Sequence, residues 1–527
     1  MSLAKVFRLY QNEMYKIFNK ASTWIMLALI PVLILIAMLF SFLSSSSMDY
    51  INNQMSQEAW KDDLRYQIED MKTNNFDKNG EHVTSEEIAP ENQIIIEQYQ
   101  YQISSDIPPT SWKAAVLTDI SNKKISILPS AEPTEAQKLE AEKEITRLQD
   151  IIKQEDWKKY IALSDEITKN STTITQAEKD IILKINKLRI DYDVAPEDNS
   201  GRSYAHVYSV NGVPIISDEE KNSWKKDILS QTENSMRLLM DPNNENMGYD
   251  YYGNIMTRKT VEAEIEVNIH RLKTNNSPYS DDSFIASFTG GPSSMFIVLL
   301  LLIIISGTLV SQEFSRGTIK FLAVTPNRRH KIFTAKLLSL LTMAVIFTAV
   351  TIMFSLVTSL IEGGFTDIAK KEVYFSGGKI QEVSVVLLVL RNFGLEFISV
   401  LAYAIMALML STLTRNTAVS VGVGIAVYFI APMVTSVAMQ LINRHSMGDV
   451  FNAELLRYVL FANTNLASYV SQLRYGMGNI TGMMLSGGLT RPATDMSLTF
   501  SLCTIAIYVI VMLVTSYESF NKRDIKN

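Results

Sequence analysis

The stretch Trp24–Phe42, WIMLALIPVLILIAMLFSF, decides the fold. It carries no charged residue. A hydrocarbon core roughly 30 Å thick is crossed by about 20 helical residues, so the stretch predicts a membrane helix. Lys16 and Lys20 flank it on one side and Ser44–Ser47 on the other. A basic flank before an apolar core also describes a secretory signal, and the serine run would hide a cleavage site. The apolar run exceeds the roughly 7–15 residues of such signals, so an uncleaved helix is expected. Residues 44–291 are polar, and five more apolar segments crowd the remainder. The six spans read Ser22–Leu43, Ser293–Gln312, Leu337–Ile361, Val383–Leu413, Ala418–Leu441 and Ser497–Tyr517. All read as helices, because backbone groups in lipid must bond within their own segment. The expected fold class is membrane all-α: six transmembrane helices, with a mainly helical extracellular domain (α plus minor β) between helices 1 and 2.

Charge sets the orientation. Lys and Arg in short connecting segments favour the cytoplasm. They occur at Lys5, Arg8, Lys16 and Lys20, at Arg316, Lys320, Arg328, Arg329, Lys331 and Lys336, at Arg415, and at Lys522, Arg523 and Lys526. Six spans put all four groups on one side, opposed there only by Glu13, Glu313, Glu518 and Asp524. Both termini are thus expected in the cytoplasm and residues 44–291 outside, in a multi-pass cell-membrane protein. Residues 44–291 hold 27 Lys/Arg and 43 Asp/Glu, a net charge of −16, so the overall −6 hides a polarised molecule. The basic side suits anionic lipid head groups of the bilayer and an acidic protein partner. Nucleic acid is excluded as a partner, because the basic residues flank spans and form no separate domain. The single cysteine, Cys503, lies in the sixth span, so the outer domain has no disulfide and one cysteine builds no zinc or redox motif.

The chain divides into an interfacial elbow helix (1–21), the first span (22–43), the extracellular domain (44–291), spans two to six (292–517) and a cytoplasmic tail (518–527). In the elbow, Leu3, Val6, Phe7, Tyr10, Met14, Ile17 and Phe18 recur at helical steps, which predicts a helix lying in the membrane interface. It serves as a plain anchor, as a contact for a cytoplasmic partner, or as both. Thr134–Lys169 and Ile174–Ile190 predict an antiparallel helical hairpin, opened by Pro133-Thr134 as turn and cap. Its charges read most simply as solvated faces. Asn211-Gly212 within Tyr204–Ser217 predicts a β-hairpin, with Pro214 on an edge strand. Ser287–Ser294 marks the return to the membrane. Residues 463–491, glycine-rich among Leu, Met and Tyr, predict re-entrant helices dipping into the outer leaflet.

No G-x-x-x-x-G-K-[ST] loop and no H-E-x-x-H is present, so the chain is expected to bind no ATP by a P-loop, to carry no catalytic residue and to hold no metal. Asp241–Asn246 faintly resembles a calcium loop, but Asn246 and Tyr252 replace the glycine and glutamate it needs; a turn is the simpler reading. The informative segment is 312–331, QEFSRGTIKFLAVTPNRRHK. Glu313 closes the second span, Gly317-Thr318 breaks the helix, Ile319–Leu322 forms a short amphipathic helix, and Pro326 stops it before a basic cluster. The plainer reading is an ordinary positive-inside loop. Arg391 and Glu396 interrupt the fourth span, and ionisable groups there are functional by default. The plainer account starts the membrane helix near Phe393, with Arg391 reaching the outer interface. Gly422 and Gly424 in span five permit close helix approach.

The segment resembles the permease subunits of ATP-binding-cassette exporters of the ABC-2 type, the class handling drugs, lipids and polysaccharides. There a glutamate, a Gly-Thr pair, a short helix, a proline and a Lys before span three recur in this order. The layout of six spans, outer domain, elbow and re-entrant helices is similar, as is the ending Ser519–Ile525. The resemblance covers both membrane parts and leaves out residues 44–291. It implies two permeases, identical or related, with two copies of a cytoplasmic ABC ATPase below. ATP and Mg would sit on that ATPase, and this chain would bind no cofactor. It implies a coupling loop at 313–336, with Glu313, Arg316, Gly317, Thr318, Lys320, Phe321, Pro326, Arg328 and Arg329 as contacts, and export of an amphipathic compound, peptide or lipid from a bacterium. The alternatives are an ABC-linked sensing or mechanotransmission protein acting on its outer domain, and a scaffold or receptor without ATP.

Overall fold

A computed structural model describes residues 3–55, 59–73, 88–109, 111–196, 209–210, 213–214, 224–240, 257–278, 283–317, 329–376, 378–443, 457–466 and 497–522. The amphipathic N-terminal stretch forms α1 (Leu3–Phe18). A turn follows in which Thr23 Oγ1 donates to Ile17 O at 2.6 Å and Trp24 Nε1 to Phe18 O at 2.8 Å. α2 (Ala21–Met55) starts at once and runs unbroken past Leu43, where the apolar run ends. Nothing stops it there, because residues 44–55 contain neither Gly nor Pro.

Seven helices of the polar insertion follow among the described residues: α3 (Ala59–Thr73), α4 (Pro90–Ser104), α5 (Trp112–Ser126), α6 (Glu135–Gln154), α7 (Trp157–Asn170), α8 (Gln176–Asp191) and, beyond a small hairpin, α9 (Trp224–Leu238), with α10 (Arg258–Thr274) as an eighth that leads back to the apolar helices. Each packs on the next along the chain. The apolar side chains gather in four small cores, one of them formed by Leu64, Ile68, Ile96 and Tyr99 of α3 and α4. Polar bonds stitch neighbours together: Gln98 to Thr118 at 2.9 Å, Tyr160 to Asp119 at 2.7 Å and Asn186 to Asp165 at 2.7 Å. Thr134 caps α6 in a capping box with Gln137. The helical hairpin expected from residues 134–190 is instead three helices, because Glu155 takes φ 55° and Asp156 caps a new helix by accepting from Lys158 N. Leu139 of α6 and Ile167 of α7 are exposed. β1 (Ser209–Val210) pairs antiparallel with β2 (Val213–Pro214), Val210 opposite Val213, the register that a two-residue turn at 211–212 requires. Those two turn residues lie outside the described ones.

The return to the membrane begins earlier than Ser293. α11 (Phe284–Thr289) leads through a 3₁₀ turn at Gly291–Ser294 into α12 (Met295–Leu309), then α13 (Ser311–Ser315). The path stays close-packed because Gly291 has no Cβ; one there would meet Phe393 at 3.0 Å and Ser355 at 3.1 Å. α14 (Arg329–Gly363) follows, then a hairpin that the sequence reading did not anticipate, β3 (Lys371–Ser376) with β4 (Lys379–Ser384), turned at Gly378 with φ 78°. α15 (Val385–Thr414), α16 (Thr417–Asn443) and α17 (Leu498–Lys522) complete the bundle. Among the described residues, five helical segments are long and apolar enough to cross a membrane: Ala21–Phe40, Phe284–Leu309, Arg329–Gly363, Val385–Thr414 and Leu498–Asn521. In α16 the apolar stretch Thr417–Ala431 is shorter. The molecule is a mostly helical, multi-pass membrane protein.

α15 is the hub, packing against α12, α14, α16 and α17. Small residues allow the closest approaches: a Cβ on Gly307 would meet Val421 at 2.8 Å and one on Gly424 would meet Ile303 at 2.9 Å. Gly422, expected to pack likewise, has no atom within 4 Å of such a Cβ among the described residues. The helix that carries the fourth span starts before Phe393. α15 is helical from Val385 through both Arg391 and Glu396, its first turn set by the strand β4 that enters it. α10 is clamped to the β3–β4 hairpin: Arg271 Nη2 lies 2.5 Å from Glu372 Oε1 with both side chains buried, and His270 Nε2 lies 2.9 Å from Glu382 Oε1. Asn276 donates to Lys371 O at 3.1 Å, and Lys370 to Ser277 Oγ at 2.7 Å.

Candidate coupling site

The basic end of the bundle is organised around Lys336, one turn into the apolar part of α14. Its side chain is 1 % exposed. Its Nζ donates to Glu13 Oε2 of α1 at 2.9 Å, to Glu313 Oε1 of α13 at 2.7 Å and to the Leu309 carbonyl at 3.2 Å. One ammonium thus uses its three donors on two segments far apart in sequence, α1 and the α12–α13 junction. Lys16 joins the node at 2.9 Å from Glu13 and 3.8 Å from Glu313. Lys20 donates to Gln312 Oε1 at 2.8 Å, and Tyr10 shares a hydrogen bond with Thr342 at 3.0 Å. Burial pushes the Glu13 carboxyl up, but Lys336 and Lys16 outweigh it and hold it below its ordinary value. Burial depresses the Lys16 ammonium, yet Glu13 and Glu313 leave it raised. Lys20 is lowered, first by burial and then by Arg316 and Lys336.

The node sits where α12 bends into α13. The bend frees two amides, and Ser411 Oγ of α15 accepts both, from Val310 N at 3.3 Å and Ser311 N at 2.9 Å. Ser311 Oγ donates to Gly307 O at 2.6 Å and to Thr417 Oγ1 at 3.2 Å. Arg415, in a left-handed conformation between α15 and α16, stacks 4.5 Å above the Phe314 ring. Arg329 Nη1 donates to Asn521 O at 3.3 Å, and Phe333 packs on Tyr517 and Phe520. Elbow, bend and the ends of α14 to α17 are therefore one connected polar joint.

Of the residues singled out by sequence, Glu313 enters the joint directly. Arg316 is exposed at the end of α13, and Gly317 terminates that helix with φ 70° and its amide on Phe314 O at 3.1 Å. Thr318, Lys320, Phe321, Pro326 and Arg328 lie outside the described residues, as do residues 467–491 of the expected re-entrant segment. Arg391 is exposed and Glu396 half-buried on α15, away from the joint. Glu13 was missed. Its only signal is a lone acid in a basic elbow, three residues before Lys16.

Residues 283–526 match a family model. Its description is a protein of unknown function, DUF2705. The match starts at α11 and covers the membrane helices after α2, leaving out the outer helices. The chain is also similar to uncharacterized protein YhcI of Bacillus subtilis strain 168, 27% identical over 314 residues, which is 59% of this chain and 87% of the relative. A similar likeness holds for uncharacterized membrane protein YdbK of the same organism, 27% identical over 249 residues, 47% of this chain and 85% of the relative. The printed name of the second agrees with a membrane location.

Proposed function

We propose that this chain is the permease subunit of an ATP-binding-cassette exporter, moving an amphipathic compound, peptide or lipid outward across a bacterial cell membrane. In this reading it spans the bilayer six times, α16 included, with both termini in the cytoplasm and residues 44–291 outside. The observation that carries the reading is the buried Lys336 node. A joint tying an interfacial elbow to the mouth of a basic loop is what an engine docked from below needs. Closure of two ATPase subunits, which hold the ATP and Mg, pushes the 313–336 loop. The node passes that displacement to α1, α12 and α14 as one body, and the two end states differ in their contacts with the cargo. A second permease, identical or related, closes the path.

The test is co-purification from the native membrane with any nucleotide-binding subunit, comparing wild type with Arg328→Glu/Arg329→Glu. The expected result is a bound ATPase lost from the variant while membrane insertion is kept. Recovery of no nucleotide-binding protein with wild type, or equal recovery with both, overturns the reading. The buried Arg271–Glu372 clamp favours a second reading, in which the engine works on the outer domain and nothing crosses. ATP-driven accumulation of a compound outside, measured in vesicles, separates the two.

A further inference from the structure

α15 carries a polar stripe that the coupling joint does not use. Asn392, Glu396, Ser399 and Tyr403 recur at steps of four, three and four residues, which places them along one helix face. Ser399 Oγ donates to Thr464 O at 2.6 Å, and Tyr403 shares a hydrogen bond with Thr464 Oγ1 at 3.3 Å. The lower half of the stripe is thus satisfied. The upper half is not. Asn392 is 8 % exposed and its Oδ1 is buried without a hydrogen-bond partner among the described residues. Glu396, one turn on, is half-buried and has no ion-pair partner among the described residues. Arg391 does not neutralise it, lying roughly 140° round the helix and exposed. Glu396 lies within electrostatic reach of Tyr403 and Tyr428. Those two rings meet edge to face at 5.3 Å, and Tyr403 stacks on Phe461 at 6.0 Å.

Both unsatisfied groups are acceptors, and a carboxylate within a span is costly without a countercharge. Aromatic faces within about 6 Å attract cations. Glu396 and Tyr428 are half-buried, and Ile430 and Met433 beyond Tyr428 on α16 are exposed apolar residues against which an alkyl chain can lie. We propose that Asn392, Glu396, Tyr403 and Tyr428 bind the ammonium head of a cationic amphiphile. The ammonium donates to Asn392 Oδ1 and the Glu396 carboxylate and rests against the tyrosine rings, while the alkyl chain stays in the membrane. As the cargo of transport, this ligand class rests on the exporter reading; as a binding site it does not.

The probe is radiolabelled dodecylammonium, with full-length protein in zwitterionic nanodiscs and empty discs as the blank. No ATPase is present, so failure here leaves the exporter reading standing, and loss of the ATPase partner leaves this result standing. Wild type is expected to bind saturably, with dodecanol of the same chain length failing to compete. Glu396→Gln is expected to weaken binding at least tenfold, since a charge-assisted hydrogen bond is lost, while Glu396→Asp retains most of it. No saturable excess over empty discs overturns the proposal, as does equal competition by dodecanol or undiminished binding in Glu396→Gln. The wild-type comparison of ammonium with alcohol holds even if the variant fails to fold. A Glu396 that holds only a proton, shared with Asn392, gives no saturable binding and counts as refutation.

Discussion

Replacing Lys336 by Met removes one ammonium and strands two carboxylates. Glu13 and Glu313 side chains are 9 % and 13 % exposed, and both accept from Lys336 within 3 Å. Breaking a buried ion pair from one side costs about 3–5 kcal/mol. Lys16 stands near both acids but is 53 % exposed, so solvent screens its compensation, and the lower end applies, about 3 kcal/mol. At about 2–4 °C per kcal/mol, the melting temperature of purified protein should fall by about 6–12 °C. Lys16→Met removes a half-exposed cation and leaves Glu13 paired with Lys336, so it should cost less than about 1 kcal/mol. The diagnostic arm is Lys336→Met/Glu13→Gln/Glu313→Gln. With the stranded charges neutralised, the triple variant should recover most of the loss, because the penalty lies in unpaired charge and the three side chains act as a unit. A Lys336→Met protein melting within about 1 °C of wild type, or a triple variant less stable than the single, would refute the node.

Gly363→Ala should abolish folded protein in the membrane fraction, because a Cβ there lands on the Phe284 backbone and neither helix can yield; normal expression with unchanged melting would show the α11–α14 contact to be absent. Gly424→Val should lower the melting temperature by several degrees through a clash with Ile303, whereas Gly422→Val should be near neutral; equal effects at both sites contradict the packing. His270, aided by Lys371 and against burial, holds the Glu382 carboxyl below its ordinary value. Its contribution is therefore complete above the ordinary glutamate range, about 4.3, and is lost as pH falls through the lowered value. Amide-exchange protection of β4 should drop between pH 5 and pH 3 (both about), and Glu382→Gln should flatten that drop; an unchanged pH profile in the variant removes Glu382 from the clamp.

The membrane helices were legible because about 20 apolar residues in a row admit few other readings. Their ends were not. α2 overran Leu43, since polar residues past the apolar run do not by themselves stop a helix, and α15 passed through Arg391 and Glu396, since an ionisable side chain leaves the backbone hydrogen bonds of a helix intact. The break at Glu155 turned on one left-handed residue of a type that also sits inside helices. The β3–β4 hairpin was hidden by its polar alternation beside two long spans, although the glycine pair at 377–378 was available as a turn signal. In the joint, Glu313 was visible through its place in the 312–331 segment. Its connection to Lys336 and Glu13 was not, because Glu13 and Lys336 are 323 positions apart and no local pattern marks a long-range ion pair.

The unbroken α2 has one further consequence. Its 35 residues at 1.5 Å each make a rod of about 52 Å, hinged at the Asn19–Lys20 turn beside the Lys336 node. A tilt of about 5° at that pivot sweeps the far tip sideways by roughly 4–5 Å, enough to trade one set of side-chain neighbours for the next along a helix with a 5.4 Å pitch. A small rotation at the base of the rod is thereby magnified at its tip without any helix having to melt.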